Sequence, residues 1–261
     1  MSGEESFQLL LYHGIYGRRS ELRGKPARES VSEEDFRRQV RWMMSQGYSI
    51  LPLGECLRRM EGEGLPPRTV CLTFDDGKKS DLHRVAPILA SEGVRGTFFI
   101  IPGWLGNPNI MGADEVRSLA DLGMEIGSHS QTHPFMTSLT EPGLAAETAL
   151  SKEFLEELVG KPVECFSYPY GDVDGRVRDA VARAGYRAAC GTRRGGNSRG
   201  SDWLLLRRWG MHEGTGTDGL RRILELGVPT LLERGVDWAK RTAGLHRYTR
   251  WRERLMPKVK G

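Results

Sequence analysis

The feature that most constrains this chain is a repeated alternation of short apolar runs with amphipathic stretches, punctuated by glycine. Runs at 8–12, 69–74, 97–101, 124–127, 164–168, 186–190 and 203–209 read as strands. Ser32 opens a helix: a serine cap, acids at Glu33, Glu34 and Asp35, and apolar Phe36, Val40, Met43 and Met44 at helical spacing. Further helical patterns run up to Gly93 and over 113–122, 144–159, 173–184 and 217–226, most of them stopped by glycine. Such alternation predicts an α/β fold with a mainly parallel sheet and helices outside it. The number of units favours a closed or nearly closed (β/α) barrel over an open doubly wound sheet. There is no G-x-G-x-x-G after the first strand and no G-x-x-x-x-G-K-[ST], so nucleotide-binding folds lose support.

A length of 261 residues, with 38% hydrophobic and 28% charged residues, suits one large globular domain. No apolar run is long enough to span a bilayer, and the opening Met1-Ser2-Gly3-Glu4-Glu5-Ser6 does not resemble the basic head of a signal peptide. Cys56, Cys71, Cys165 and Cys190 are scattered without a C-x-x-C pair. Reduced, buried thiols and a cytoplasmic address are therefore expected. The net charge of +4 is uneven: residues 238–261 carry +7 and leave the rest slightly acidic. The expected organisation is a barrel over 1–237 and a basic helical tail over 238–261. That tail either caps the domain or touches anionic lipid on the inner membrane face. No motif supports a nucleic-acid partner.

Chemistry collects where strands end. His13 follows the run at 8–12. "TFDDG", 73–77, delivers Asp75 and Asp76; "HSQTH", 129–133, delivers His129 and His133; Tyr168, Pro169 and Tyr170 follow the run starting at 164. The C-terminal ends of barrel strands open on one face, where barrel enzymes build their sites. Asp-Asp-Gly is also ordinary turn chemistry, and a lone histidine is more often structural than a ligand. Two histidines four apart, joined by a carboxylate from another strand, make a catalytic metal site with open positions. Zinc is the default ion; cobalt, nickel and ferrous iron are the alternatives. One Asp can then be a ligand and the other a general base, the cation relieving their mutual repulsion.

These motifs in this order resemble the NodB-type polysaccharide deacetylases, which fold as distorted (β/α) barrels. The resemblance implies that Asp75 is the general base and that Asp76, His129 and His133 hold the metal. "FSYPYG", 166–171, is similar to the family's third motif at Pro169 and Tyr170, which implies that the Tyr170 N–H binds the oxyanion. Ser167 stands where that motif has an Arg, and two later motifs are missing. "LLLYHGI", 9–15, and "LLLRRWGM", 204–211, resemble segments of the permuted branch that includes poly-N-acetylglucosamine deacetylases. By that resemblance His13 is the catalytic acid, with His212 as its rival, and Arg208 steadies Asp75, with Arg207 as the alternative. The implied activity is removal of an N-acyl group, acetyl first, from an amino sugar in a polysaccharide, oligosaccharide or lipid-linked form. An O-acetyl esterase and a non-catalytic carbohydrate-binding protein are the competing readings. Trp104 and Trp209 are candidates for a sugar-facing surface or for core. The loop 191–202 reads as a surface loop whose Arg193, Arg194 and Arg199 could meet an anionic group.

Overall fold

A computed structural model of the protein describes residues 5–18 and 30–227. The basic tail 238–261, with its expected lipid contact, lies outside the described residues. Eleven strands occur among the described residues: β1 Ser6–Tyr12, β2 Gly14–Tyr16, β3 Ser30–Ser32, β4 Ser49–Ile50, β5 Thr69–Phe74, β6 Thr97–Ile100, β7 Glu125–Ser128, β8 Cys165–Ser167, β9 Ala188–Cys190, β10 Asn197–Ser198 and β11 Trp209–Gly210. The α-helices are α1 Glu33–Ser45, α2 Leu53–Glu61, α3 Ala86–Ser91, α4 Ala113–Asp121, α5 Glu141–Ala145, α6 Ser151–Val159, α7 Gly175–Arg183 and α8 Thr217–Arg221.

Nine strands form one sheet in the order β10-β1-β5-β6-β7-β8-β9, with β11 also on β1 and β4 on β5. All pairings are parallel except β1 with β10. The sheet curls into a half-barrel with helices around it, a distorted (β/α) barrel in a single domain. Residues 206–210 bring its two sides together: Leu206 pairs in parallel with Cys190 of β9, and Trp209 with Leu10 of β1.

Strand β5 shows why the sheet is central: TVCLTF is buried at every position, as expected when both faces of a parallel strand are covered. Its alternate residues enter two cores. Val70, Leu72 and Phe74 face the helices, where Phe74 stacks on Tyr12 at 5.3 Å and on Phe98 at 4.6 Å. Cys71 faces the interior with Phe7, Leu9, Phe99, Cys165, Cys190 and Leu206. All four cysteines are free and buried, in keeping with the reduced thiols expected. Helix α1 forms as its sequence dictates: Ser32 accepts the Asp35 N–H at 3.0 Å, and Phe36, Val40 and Met43 are buried.

Helix α2 is not part of the alternation read from the sequence, although Leu53, Cys56, Leu57 and Met60 recur at helical spacing and are buried. It closes the lower end of the barrel. Its first N–H groups bond Thr97 Oγ1 at 2.8 Å and the Glu125 carboxylate at 2.9 Å. The expected strand over 203–209 shortens to β11 and the single pairing at Leu206. Among the described residues no helix is long and apolar enough to cross a membrane.

Candidate active site

Strand parity builds the site. Residues 71 and 73 of β5 face the barrel interior, and the next in that series is Asp75. By the same period of two, Leu9 leads to Leu11 and His13, Gly127 to His129, Cys165 to Ser167, and Leu206 to Arg208. Five polar residues thus reach the upper mouth of one barrel from five stretches of chain.

Asp75 is enclosed there. Arg208 donates from Nη1 to Oδ1 at 2.8 Å and from Nη2 to Oδ2 at 2.9 Å. The Ser167 hydroxyl accepts from Arg208 Nη2 at 2.9 Å and donates to Asp75 Oδ2 at 3.2 Å. Arg208 is anchored further by the Gly191 carbonyl at 2.9 Å. Burial alone would raise the Asp75 carboxyl, but the Arg208 guanidinium, with His129 and His13, outweighs it and holds the pKa at about 2. Asp75 is therefore ionised at neutral pH, with both oxygens oriented.

Asp76 leaves the strand with φ of 81°, which swings its carboxylate away from Asp75 and into the mouth. Lys78 Nζ lies 2.9 Å from its Oδ2, and His129 Nε2 lies 3.8 Å from its Oδ1. Burial opposes its ionisation, yet Lys78 and then His13, His129 and His133 hold its pKa far below the usual carboxylate range. His129 Nδ1 sits 2.7 Å from the Ser167 carbonyl, which can only accept, so Nδ1 is the donor and Nε2 is the nitrogen turned towards the two carboxylates. His133 has φ of 64° and its N–H bonds Ser130 Oγ at 2.9 Å. Burial, then the neighbouring His129, lowers the His133 pKa to about 3, leaving a neutral ring. Its Nδ1 is buried with no hydrogen-bond partner. One ligand atom from each of Asp76, His129 and His133 lies within 4.8 Å of the others.

Four non-glycine residues of this mouth have left-handed backbone: Asp76, Ser130, His133 and Tyr170. Such conformations cost on the order of 1–3 kcal/mol each and persist where the surroundings enforce them. Tyr170 is fixed by its ring, which stacks on Phe135 at 4.4 Å and meets His133 edge-on at 4.5 Å. Pro169, buried, opens that turn. Trp104 closes the other side of His133 at 5.1 Å.

The residues singled out in the sequence divide accordingly. Asp75, Asp76, His13, His129, His133, Tyr170 and Arg208 come together at the mouth; His13 is close enough to interact electrostatically with Asp75, Asp76 and His133. His212 sits in the turn 212–215, its Nδ1 2.9 Å from Thr215 Oγ1 and its Nε2 buried with no hydrogen-bond partner. Arg207 is exposed and makes no bond to Asp75 among the described residues. Trp209 is 3% exposed and bonds Gln8, so it belongs to the core and not to a sugar-facing surface. Arg199 is neutralised by Glu5 at 2.8 Å. Ser167, Lys78 and Phe135 were not singled out as parts of the site. Only Ser167 carried a signal, by standing where an arginine was expected.

Residues 62–189 match the family model described as "Polysaccharide deacetylase". YxkH of Bacillus subtilis (strain 168) is 26% identical over 201 residues, 77% of this chain and 69% of that protein. The poly-beta-1,6-N-acetyl-D-glucosamine N-deacetylase of Staphylococcus aureus (strain MSSA476) is 25% identical over 174 residues, 60% of this chain and 59% of that protein. Among solved structures, the Streptococcus pyogenes deacetylase PplD superposes with a TM-score of 0.79 at 23% identity, covering 85% of this chain and 99% of its own. The matched stretch contains both Asp75-Asp76 and His129–His133, while His13 and Arg208 reach the same mouth from outside it. The chain carries a polysaccharide deacetylase (NodB) domain.

Proposed function

We propose that the protein is a metal-dependent hydrolase that removes an N-acyl group, acetyl in the first instance, from an amino sugar in a glycan. The observation that carries this reading is the convergence of Asp76, His129 and His133 beside a separate, ionised Asp75. The donor set fits a divalent first-row ion: two imidazoles, one carboxylate, and a buried His133 nitrogen with no other partner. Zinc suits it best, with cobalt, nickel or ferrous iron as alternatives. Bound there, the ion supplies Lewis-acid polarisation of the acyl carbonyl and lowers the pKa of water.

The chain's own groups do the rest. Asp75 takes the proton of the attacking water; its Oδ2 lies 3.7 Å from His129 Nε2, on the edge of the same space. Arg208 and Ser167 fix the direction of that carboxylate. Pro169 sets the turn from which the Tyr170 N–H stabilises the oxyanion, while the Tyr170, Phe135 and Trp104 rings wall the mouth. His13 protonates the leaving amine. That requirement favours an amide over an ester substrate, because an amine leaves poorly without a proton.

The test is elemental analysis of protein purified without chelators or a metal-affinity tag, joined to acetate release from N-acetylglucosamine oligomers. About one first-row ion per chain, lost in Asp76→Ala, together with acetate release, supports the reading. No ion after dialysis against zinc would overturn it and bring forward a non-catalytic carbohydrate-binding protein.

A further inference from the structure

A cavity of about 870 Å³ lies beside the proposed catalytic mouth. It is lined by Gly171, the residue after Tyr170, by the loop carrying Arg193 and by the segment carrying Arg207. Surface arginines of this protein usually face a carboxylate. On this cavity Arg178 has Asp202 at 2.9 Å, and next to it Arg199 has Glu5 at 2.8 Å. Arg193 and Arg207 have no carboxylate within ion-pair distance among the described residues. Asp174 also lines the cavity, but its carboxylate caps α7 by accepting the Val177 N–H at 2.9 Å. Among the described residues Arg193 and Arg207 are thus the two guanidinium groups on this cavity without an ion-pair partner.

Their placement is built in. Asn197, 4% exposed, clamps the Arg207 backbone from both sides, accepting its N–H and donating to its carbonyl, each at 2.9 Å. The Arg207 stem lies on Gly195, where an added Cβ would come within 2.8 Å of Arg207 Cδ. The Arg193 carbonyl accepts the Arg208 N–H at 2.9 Å. Residues 207 and 208 point to opposite sides of one extended segment, so the arginine that orients Asp75 and the arginine that faces the cavity are set by the same stretch of chain.

We infer that this cavity binds an anionic group, phosphate or carboxylate, carried by the glycan on a sugar next to the one being deacetylated, with Arg193 and Arg207 as its ligands. Planar guanidinium forks match both anions. The inference rests on the deacetylase reading for its substrate but not for its test, because binding can be measured without turnover.

The experiment is calorimetric titration of the full chain with three N-acetylglucosamine oligomers of equal length: uncharged, phosphorylated, and carrying a uronate. Acetate release is measured in parallel. The wild type should bind one or both anionic oligomers about tenfold more tightly than the neutral one, and the phosphate and uronate arms tell which anion is preferred. Arg193→Gln, Arg207→Gln and Gly195→Ala should each remove most of that preference and leave neutral-oligomer binding unchanged. If acetate release occurs, the loss should fall in KM and not in kcat. Equal affinity for all three oligomers, or a preference that survives Arg193→Gln/Arg207→Gln, overturns the anion site. A preference without acetate release supports the site and counts against the deacetylase reading instead.

Discussion

Arg208 and Asp75, 133 residues apart, meet through two parallel hydrogen bonds of 2.8 and 2.9 Å in a space closed to solvent. A buried pair of this kind contributes little net stability over an apolar pair, but breaking it is severe, because one charge is left buried alone. Arg208→Met should lower unfolding stability by about 3–5 kcal/mol, read by urea denaturation at neutral pH. Arg208→Lys should rescue stability in part and turnover poorly, since an ammonium cannot hold both oxygens.

The same pair makes a pH signature. The folded pKa of Asp75, about 2, lies below its ordinary value of 3.8. Its contribution is therefore present above about pH 4 and is lost as pH falls through 2, an effect on the order of 2 kcal/mol. Unfolding free energy measured from pH 5 to 2 should fall less steeply in Asp75→Asn than in the wild type.

Ser167 occupies the position of a family arginine, yet its hydroxyl touches both Arg208 and Asp75. Ser167→Arg should destabilise the protein by several kcal/mol, on the order of an unpaired buried charge, by crowding a second guanidinium against Arg208. Exchanging the two, Ser167→Arg with Arg208→Ser, should recover part of that loss. A double-mutant cycle on thermal unfolding measures the coupling, and strict additivity would count against a shared role.

Metal content and turnover should separate the two adjacent carboxylates. Asp76→Ala and His133→Ala are expected to lose the bound ion by elemental analysis. Asp75→Asn should keep it while losing turnover by about 10²-fold or more.

His13 is tested by changing the leaving group. His13→Asn should slow acetate release from an N-acetyl sugar by about 10²-fold and affect an activated aryl acetate far less, because a phenolate needs no proton to leave. Equal losses on both substrates would remove His13 from the role of acid.

Local pattern along the chain is enough to read part of this protein. The β/α alternation follows from apolar periodicity and glycine stops, and Asp75 with Asp76, and His129 with His133, are visible because each pair lies within five residues. The rest depends on closure of the barrel. Residues 206–210 lie between β9 and β1, and only that placement brings Arg208 rather than Arg207 onto Asp75. The parity of an extended segment says that two neighbours point oppositely, but not which way is inward until its partners are known. The same closure buries Trp209 against Gln8 and sets Arg193 and Arg207 on a cavity where, among the described residues, neither has an ion-pair partner. Both are consequences of long-range pairing, for which residue spacing along the chain carries no signal.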